Sequence, residues 1–138
     1  MGNCLNNKVV VVTGASSGIG EAMAREYAKM GAKVVMAARR EEELKRIAAE
    51  IKAAGGKVTY AACDVVCEED CKRLMEHAVE TFGGIDVLIC NAGLSMRALF
   101  DDCGLKVLHR LMDVNFWGTV NCTKYALKWL QKSRGSLV

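Results

Sequence analysis

The chain has 138 residues, 19 of them Lys or Arg and 16 Asp or Glu, for a formal charge of +3. That length suits one domain, and a hydrophobic content of 51% is enough for a core, while so small a charge argues against a nucleic-acid or anionic-membrane partner. No apolar run approaches the length of a membrane span, and no signal-peptide pattern is present.

Met1-Gly2-Asn3-Cys4 faintly matches an acylation signal, but Asn6 stands where Ser or Thr is wanted, so no acylation is expected. Four consecutive valines, Val9 to Val12, then suit a strand buried on both faces. After the glycine turn a first helix is expected, with Ile19, Met23, Tyr27 and Met30 on its apolar stripe and Gly31 at its end. Residues 33–38 read as strand 2. Residues 41–54 read as a helix with Leu44, Ile47, Ala48 and Ile51 inward, opened by Glu41-Glu42-Glu43 at the positive end of its dipole. Gly55-Gly56 breaks the chain before strand 3 at 57–62. The next helix carries Cys71, Leu74, Met75, Ala78, Val79 and Phe82 on its buried side. Residues 85–90 form strand 4, a loop runs from Asn91 to about Asp102, and one long helix is expected over 105–132. Residues 135–138 begin strand 5. Strands alternating with helices of this length define an α/β domain with a parallel sheet covered on both faces.

Seven cysteines is an odd count without framework spacing, and no Cys-x-x-Cys occurs. Cys67 and Cys71 can share a helix face, yet no histidine completes a metal site, so no metal is expected. Reduced thiols packed as small hydrophobes, in a cytoplasmic protein, are the expectation. His77 and His109 stand alone and receive no chemistry. Proline is absent, and no functional reason for that is evident.

The chemistry concentrates where strand 1 meets the first helix. Thr13-Gly14-Ala15-Ser16-Ser17-Gly18-Ile19-Gly20 places glycines between a buried strand and a helix N-terminus. There the backbone can bend sharply and approach a ligand, while helix N–H groups and the dipole attract a phosphate. The spacing Thr-Gly-x-x-x-Gly-x-Gly departs from the general Gly-x-Gly-x-x-Gly fingerprint. It resembles the classical short-chain dehydrogenases/reductases, in their N-terminal portion. The resemblance runs from Lys8 to Val138 and covers about the first half of a family member. It implies a Rossmann-type doubly wound sheet of order 3-2-1-4-5, truncated at the start of strand 5, forming one NAD(P)-binding domain over residues 1–138.

The resemblance implies site residues as well. Gly14, Ser16, Ser17, Gly18, Ile19 and Gly20 would cradle the pyrophosphate. At the end of strand 2, Ala38 stands where an NAD-binding carboxylate would be expected, and Arg39 and Arg40 follow. A guanidinium fork matches a phosphate bidentately, so NADP(H) is expected, with Arg39 as the main 2′-phosphate ligand. Alternatively both arginines merely cap the surface, and Ser17 stands where some NADP-preferring members carry a base. Asp64-Val65 occupies the adenine-contacting position, although an Asp closing a strand is also an ordinary turn residue. Asn91-Ala92-Gly93 resembles the Asn-Asn-Ala-Gly signature, with Cys90 replacing its first Asn.

Asp113-Val114-Asn115-Phe116-Trp117-Gly118 resembles the segment supplying a catalytic Asn that holds a water in the proton relay. Leu108, Leu111, Met112, Thr119 and Cys122 lie at helical spacing from Asn115, which places its amide on the buried stripe; a satisfied core Asn is the alternative. The family's Ser and Tyr-x-x-x-Lys pair, whose Lys lowers the Tyr pKa, find no match. Tyr27, Tyr60 and Tyr125 are followed four positions later by Gly31, Asp64 and Trp129. Three readings follow. One is an NADP(H)-dependent oxidoreductase acting on a small carbonyl or alcohol, homo-oligomeric at full length. The others are an inactive dinucleotide-binding fragment and an interaction module.

Overall fold

The computed structural model describes residues 4–138. The acylation reading rests on residues 1–3 and lies outside the described residues. The chain alternates β1 (Val9–Thr13), α1 (Gly18–Lys29), β2 (Lys33–Ala38), α2 (Glu41–Ala53), β3 (Lys57–Ala62), α3 (Glu68–Phe82) and β4 (Val87–Ile89). A 3-10 turn (Phe100–Asp102), α4 (Leu105–Met112), a π-helical turn (Asp113–Trp117), α5 (Gly118–Ser133) and β5 (Ser136–Leu137) complete it. All strand pairs are parallel, in the order β3-β2-β1-β4-β5. This is the doubly wound sheet expected from the sequence.

The valine run explains the sheet's central position. Side chains alternate across a strand, so successive valines serve opposite faces. Val10 and Val12 pack with Ala24, Ala28, Leu44, Ile47 and Ile51 of α1 and α2. Val9 and Val11 pack with Leu74, Met75 and Ala78 of α3 and Cys122, Ala126 and Leu130 of α5. Every residue of β1 is buried.

Three expectations need correction. The buried line of α1 is Gly20, Ala24 and Ala28, and Ile19 is 73% exposed. Small side chains let the helix lie close against the sheet, so size and not hydropathy sets this face. Met23 and Tyr27 only flank it. Strand β4 has three residues instead of six, because the Asp86 carboxylate accepts the Val9 N–H at 2.8 Å and takes a place in the ladder. The long helix is interrupted: the Gly118 N–H reaches the Asp113 carbonyl five residues back. Neither α4 nor the π-helical turn contains a buried residue, so Asn115 is exposed instead of on a buried stripe.

The cysteines divide. Cys63, Cys71 and Cys122 are buried, Cys90 and Cys103 are intermediate, and Cys4 and Cys67 are exposed, so dense packing describes only part of the set. Cys122 donates to the Cys71 sulfur at 3.6 Å. That hydrogen bond and burial together raise the Cys122 thiol above its ordinary range. Among the described residues no group of His, Cys, Asp and Glu could hold a metal ion, and no helix is long and apolar enough to cross a membrane.

Candidate dinucleotide site

A cleft of about 380 Å³ opens beyond the C-terminal ends of the strands, where the strand order reverses between β1 and β4. In open parallel sheets this is the crevice that ligands occupy. Gly14, Ser16, Ser17, Ile19, Arg39, Arg40, Asp64, Val65, Asn91, Ala92 and Gly93 all line it. Gly18, Gly20 and Asn115 do not. Ala38, at the position where a carboxylate was sought, lines it as well, and Cys63, Leu94 and Val114 do so without having been named as site residues from the sequence.

The glycine turn is held tightly from behind. Gly14 has φ +65°, and a β-carbon there would stand 2.9 Å from the Ala92 Cα. Gly18, at φ +57°, opens α1. At Gly20 a β-carbon would come within 2.6 Å of Asn91 Nδ2. Asn91 Nδ2 itself donates to the carbonyls of Thr13 (3.0 Å) and Gly14 (3.3 Å), tying the end of β4 to the turn. Thr13, 1% exposed, completes the tie: its hydroxyl accepts the Ala92 N–H at 3.0 Å and donates to the Ile89 carbonyl at 3.3 Å. That role escaped the sequence reading, although the Thr directly preceding Gly14 was its signal. The N-terminus of α1 has no side-chain cap, which leaves its first-turn N–H groups without a side-chain acceptor.

Arg40 Nη2 donates to Ser16 Oγ at 3.2 Å, so this guanidinium is anchored over the glycine turn. Arg39 is exposed and makes no hydrogen bond or ion pair with the described residues. Asp64 closes β3 with a local turn, its Oδ1 accepting the Val66 N–H at 3.1 Å while its own N–H donates to Asp70 Oδ2 at 3.0 Å. Asn115 grips the loop after β4. Its Oδ1 accepts the Leu94 N–H and its Nδ2 donates to the Leu94 carbonyl, both at 2.8 Å. The amide is therefore satisfied by the two peptide groups that flank Leu94 at the surface, not by core partners.

The model of the short chain dehydrogenase family matches residues 8–138. The chain belongs to this family of oxidoreductases. It is 42% identical over 139 residues to an 11-beta-hydroxysteroid dehydrogenase of Pinus massoniana, covering 99% of this chain and 39% of that protein. It is 46% identical over 133 residues to 11-beta-hydroxysteroid dehydrogenase A of Arachis hypogaea, covering 95% and 38%. Among solved structures, an alcohol dehydrogenase from the archaeon Thermococcus sibiricus complexed with 5-hydroxy-NADP superposes with a TM-score of 0.91 at 34% identity, covering 94% of this chain and 56% of that one. A short-chain type dehydrogenase/reductase from Mycobacterium marinum gives 0.92 at 32% identity, covering 99% and 56%. The chain thus spans about two fifths of these curated relatives and a little over half of the solved chains.

Proposed function

We propose that the chain forms the adenosine side of an NADP(H) site in an oxidoreductase that moves hydride between the nicotinamide and a carbonyl or alcohol carbon. The observation that carries this reading is the pair of arginines at the end of β2, one of them anchored on Ser16 beside an uncapped helix N-terminus. The residues fit a dinucleotide: Gly14 and Gly20 let the turn pack against Asn91 and Ala92 behind it, and nothing stands within 4 Å of where a β-carbon at Gly18 would be, which leaves the helix N-terminus open to a pyrophosphate. The 5-hydroxy-NADP in the Thermococcus sibiricus relative supports the phosphorylated form of the cofactor.

In this reading the α1 N-terminus and glycine turn hold the pyrophosphate, and Asp64 and Val65 hold the adenine. Ala92 and Gly93 lie along the ribose, and Arg39 and Arg40 hold the 2′-phosphate. Bound there, the cofactor supplies the hydride, and the protein positions it. Asn115, with its amide committed to Leu94, would hold a relay water through its backbone carbonyl, which also accepts the Thr119 hydroxyl at 3.3 Å. The Ser and Tyr-x-x-x-Lys functions find no match in these 138 residues, and the chain alone is proposed to be inactive. The names of the plant relatives make steroid alcohols the first substrates to assay in the whole protein. A cytoplasmic setting, self-association at full length, and no nucleic-acid or membrane partner belong to the same proposal.

Arg39→Ala and Arg40→Ala test the cofactor choice. Each should weaken NADPH binding selectively. Equal loss of NADH and NADPH affinity would refute the 2′-phosphate assignment.

A further inference from the structure

The peptide carbonyl of Val65, in the wall of the cleft, is held twice. Asn121 Nδ2 donates to it from α5 at 3.0 Å, and Cys71 Sγ donates from the first turn of α3 at 3.4 Å. The Val65 side chain, 7% exposed, lies against Gly118, where a β-carbon would stand 2.6 Å from its Cγ2. Gly118, Asn121 and Tyr125 fall three and four residues apart, on one stripe of α5. Tyr125 extends the contact by donating to Glu68 Oε1 at 2.5 Å. One helix stripe therefore holds the β3–α3 connection at Val65 and the start of α3 at Glu68.

Of the two donors to the Val65 carbonyl, the amide of Asn121 is the strong directional one. A thiol is a weak donor, so without Asn121 the Val65 carbonyl keeps only a poor partner. The neighbouring carboxylate depends on the same peptide planes, because Asp64 Oδ1 takes its hydrogen bond from the Val66 N–H.

We propose that Asn121 is a positioning residue that fixes the adenosine-side wall of the cleft through the Val65 carbonyl. The assignment rests on the dinucleotide reading above. Asn121 touches no cofactor; it acts through Val65 and Asp64.

The test is a calorimetric titration of the chain with 2′,5′-ADP, in wild type and in Asn121→Leu and Asn121→Asp. Asn121→Asp keeps the shape of the amide and removes its donor at neutral pH, so it serves even if the leucine variant folds poorly. Both variants should bind roughly three- to tenfold more weakly, as expected for one lost hydrogen bond. Both should also displace the Val66 amide resonance in NMR spectra of the free protein. Leu130→Ala, in the core at the far end of α5, should lower the melting temperature without weakening 2′,5′-ADP binding. Wild-type affinity in both Asn121 variants would overturn the assignment. Failure of the wild-type chain to bind 2′,5′-ADP would overturn the dinucleotide reading and the assignment with it.

Discussion

Gly14 is a position where a single methyl group should be decisive. Its left-handed backbone alone disfavours an L side chain by about 1–2 kcal/mol. The added β-carbon would also meet the Ala92 backbone. Gly14→Ala should therefore lower stability by at least that amount and abolish dinucleotide binding; denaturant melts and a binding titration would read both. Asn115 makes a different kind of contribution. Its amide spans both peptide groups of Leu94, so Asn115→Ala should free the loop after β4, seen as faster amide exchange at Leu94. Unchanged exchange there would mean that the loop is held by something else. Residue identities at the glycine turn were readable because close backbone approach admits so few alternatives. Thr13 was not, since a hydroxyl tying two strand ends leaves no periodic mark.

At the scale of elements, α3 and α5 share one face of the sheet and are joined at their margin by the contact between Glu68 and Tyr125. The hydrogen bond to Tyr125, then the bond to Lys124, holds the Glu68 carboxyl below its ordinary value of 4.5. The same bond to Glu68 pushes the Tyr125 phenol from 10.0 up to about 12. A lowered carboxyl stabilises the fold above its unfolded value and loses that contribution as pH falls through the folded one. A raised phenol stabilises below its unfolded value and loses that contribution as pH rises through the folded one. The tie is thus complete between pH 4.5 and pH 10.0 and weakens on either side. Tyr125→Phe should be less stable than wild type inside that window and converge with it in acid, measured as urea midpoints against pH. Glu68 is exposed and Tyr125 only half-buried, so the difference should be small. Deeper in the same interface, Leu74→Ala should cost about 2–5 kcal/mol, because Leu74 is 1% exposed.

The whole molecule was legible in the sequence to the extent that hydrophobic period and turn chemistry determine it. The valine run, the alternation of helices and strands, and Gly55-Gly56 as a break led to the parallel sheet, and the family resemblance of the glycine turn supplied its order. The π-helical turn was not legible. It depends on α5 seating Gly118 against Val65, a contact between residues 53 positions apart, and no local propensity encodes it. Asn115 was misplaced because periodicity marks an apolar stripe without showing that anything covers it, and neither α4 nor the π-helical turn contains a buried residue. The α1 stripe failed differently: hydropathy favoured Ile19, whereas close packing required Gly20, Ala24 and Ala28. Beyond α5 the sheet ends at β5, a two-residue strand with both residues exposed. Leu99, Phe100, Leu105, Phe116 and Trp117 are exposed nearby in the chain or on its last helices. An apolar surface with an open parallel edge favours association, so the chain should sediment as more than a monomer, increasingly with concentration. A monomer at every concentration would contradict that expectation.

The two arginines at the end of β2 are proposed to select the 2′-phosphorylated dinucleotide, while the α1 N-terminus holds the pyrophosphate that both cofactors share. The most direct measurement is a pair of calorimetric titrations of the wild-type chain, with NADPH and with NADH, at one ionic strength. NADPH should bind at least tenfold more tightly, a difference of about 1.4 kcal/mol that a charge-assisted bond to a phosphate can supply. Equal affinities, tighter NADH, or no binding of either would contradict it.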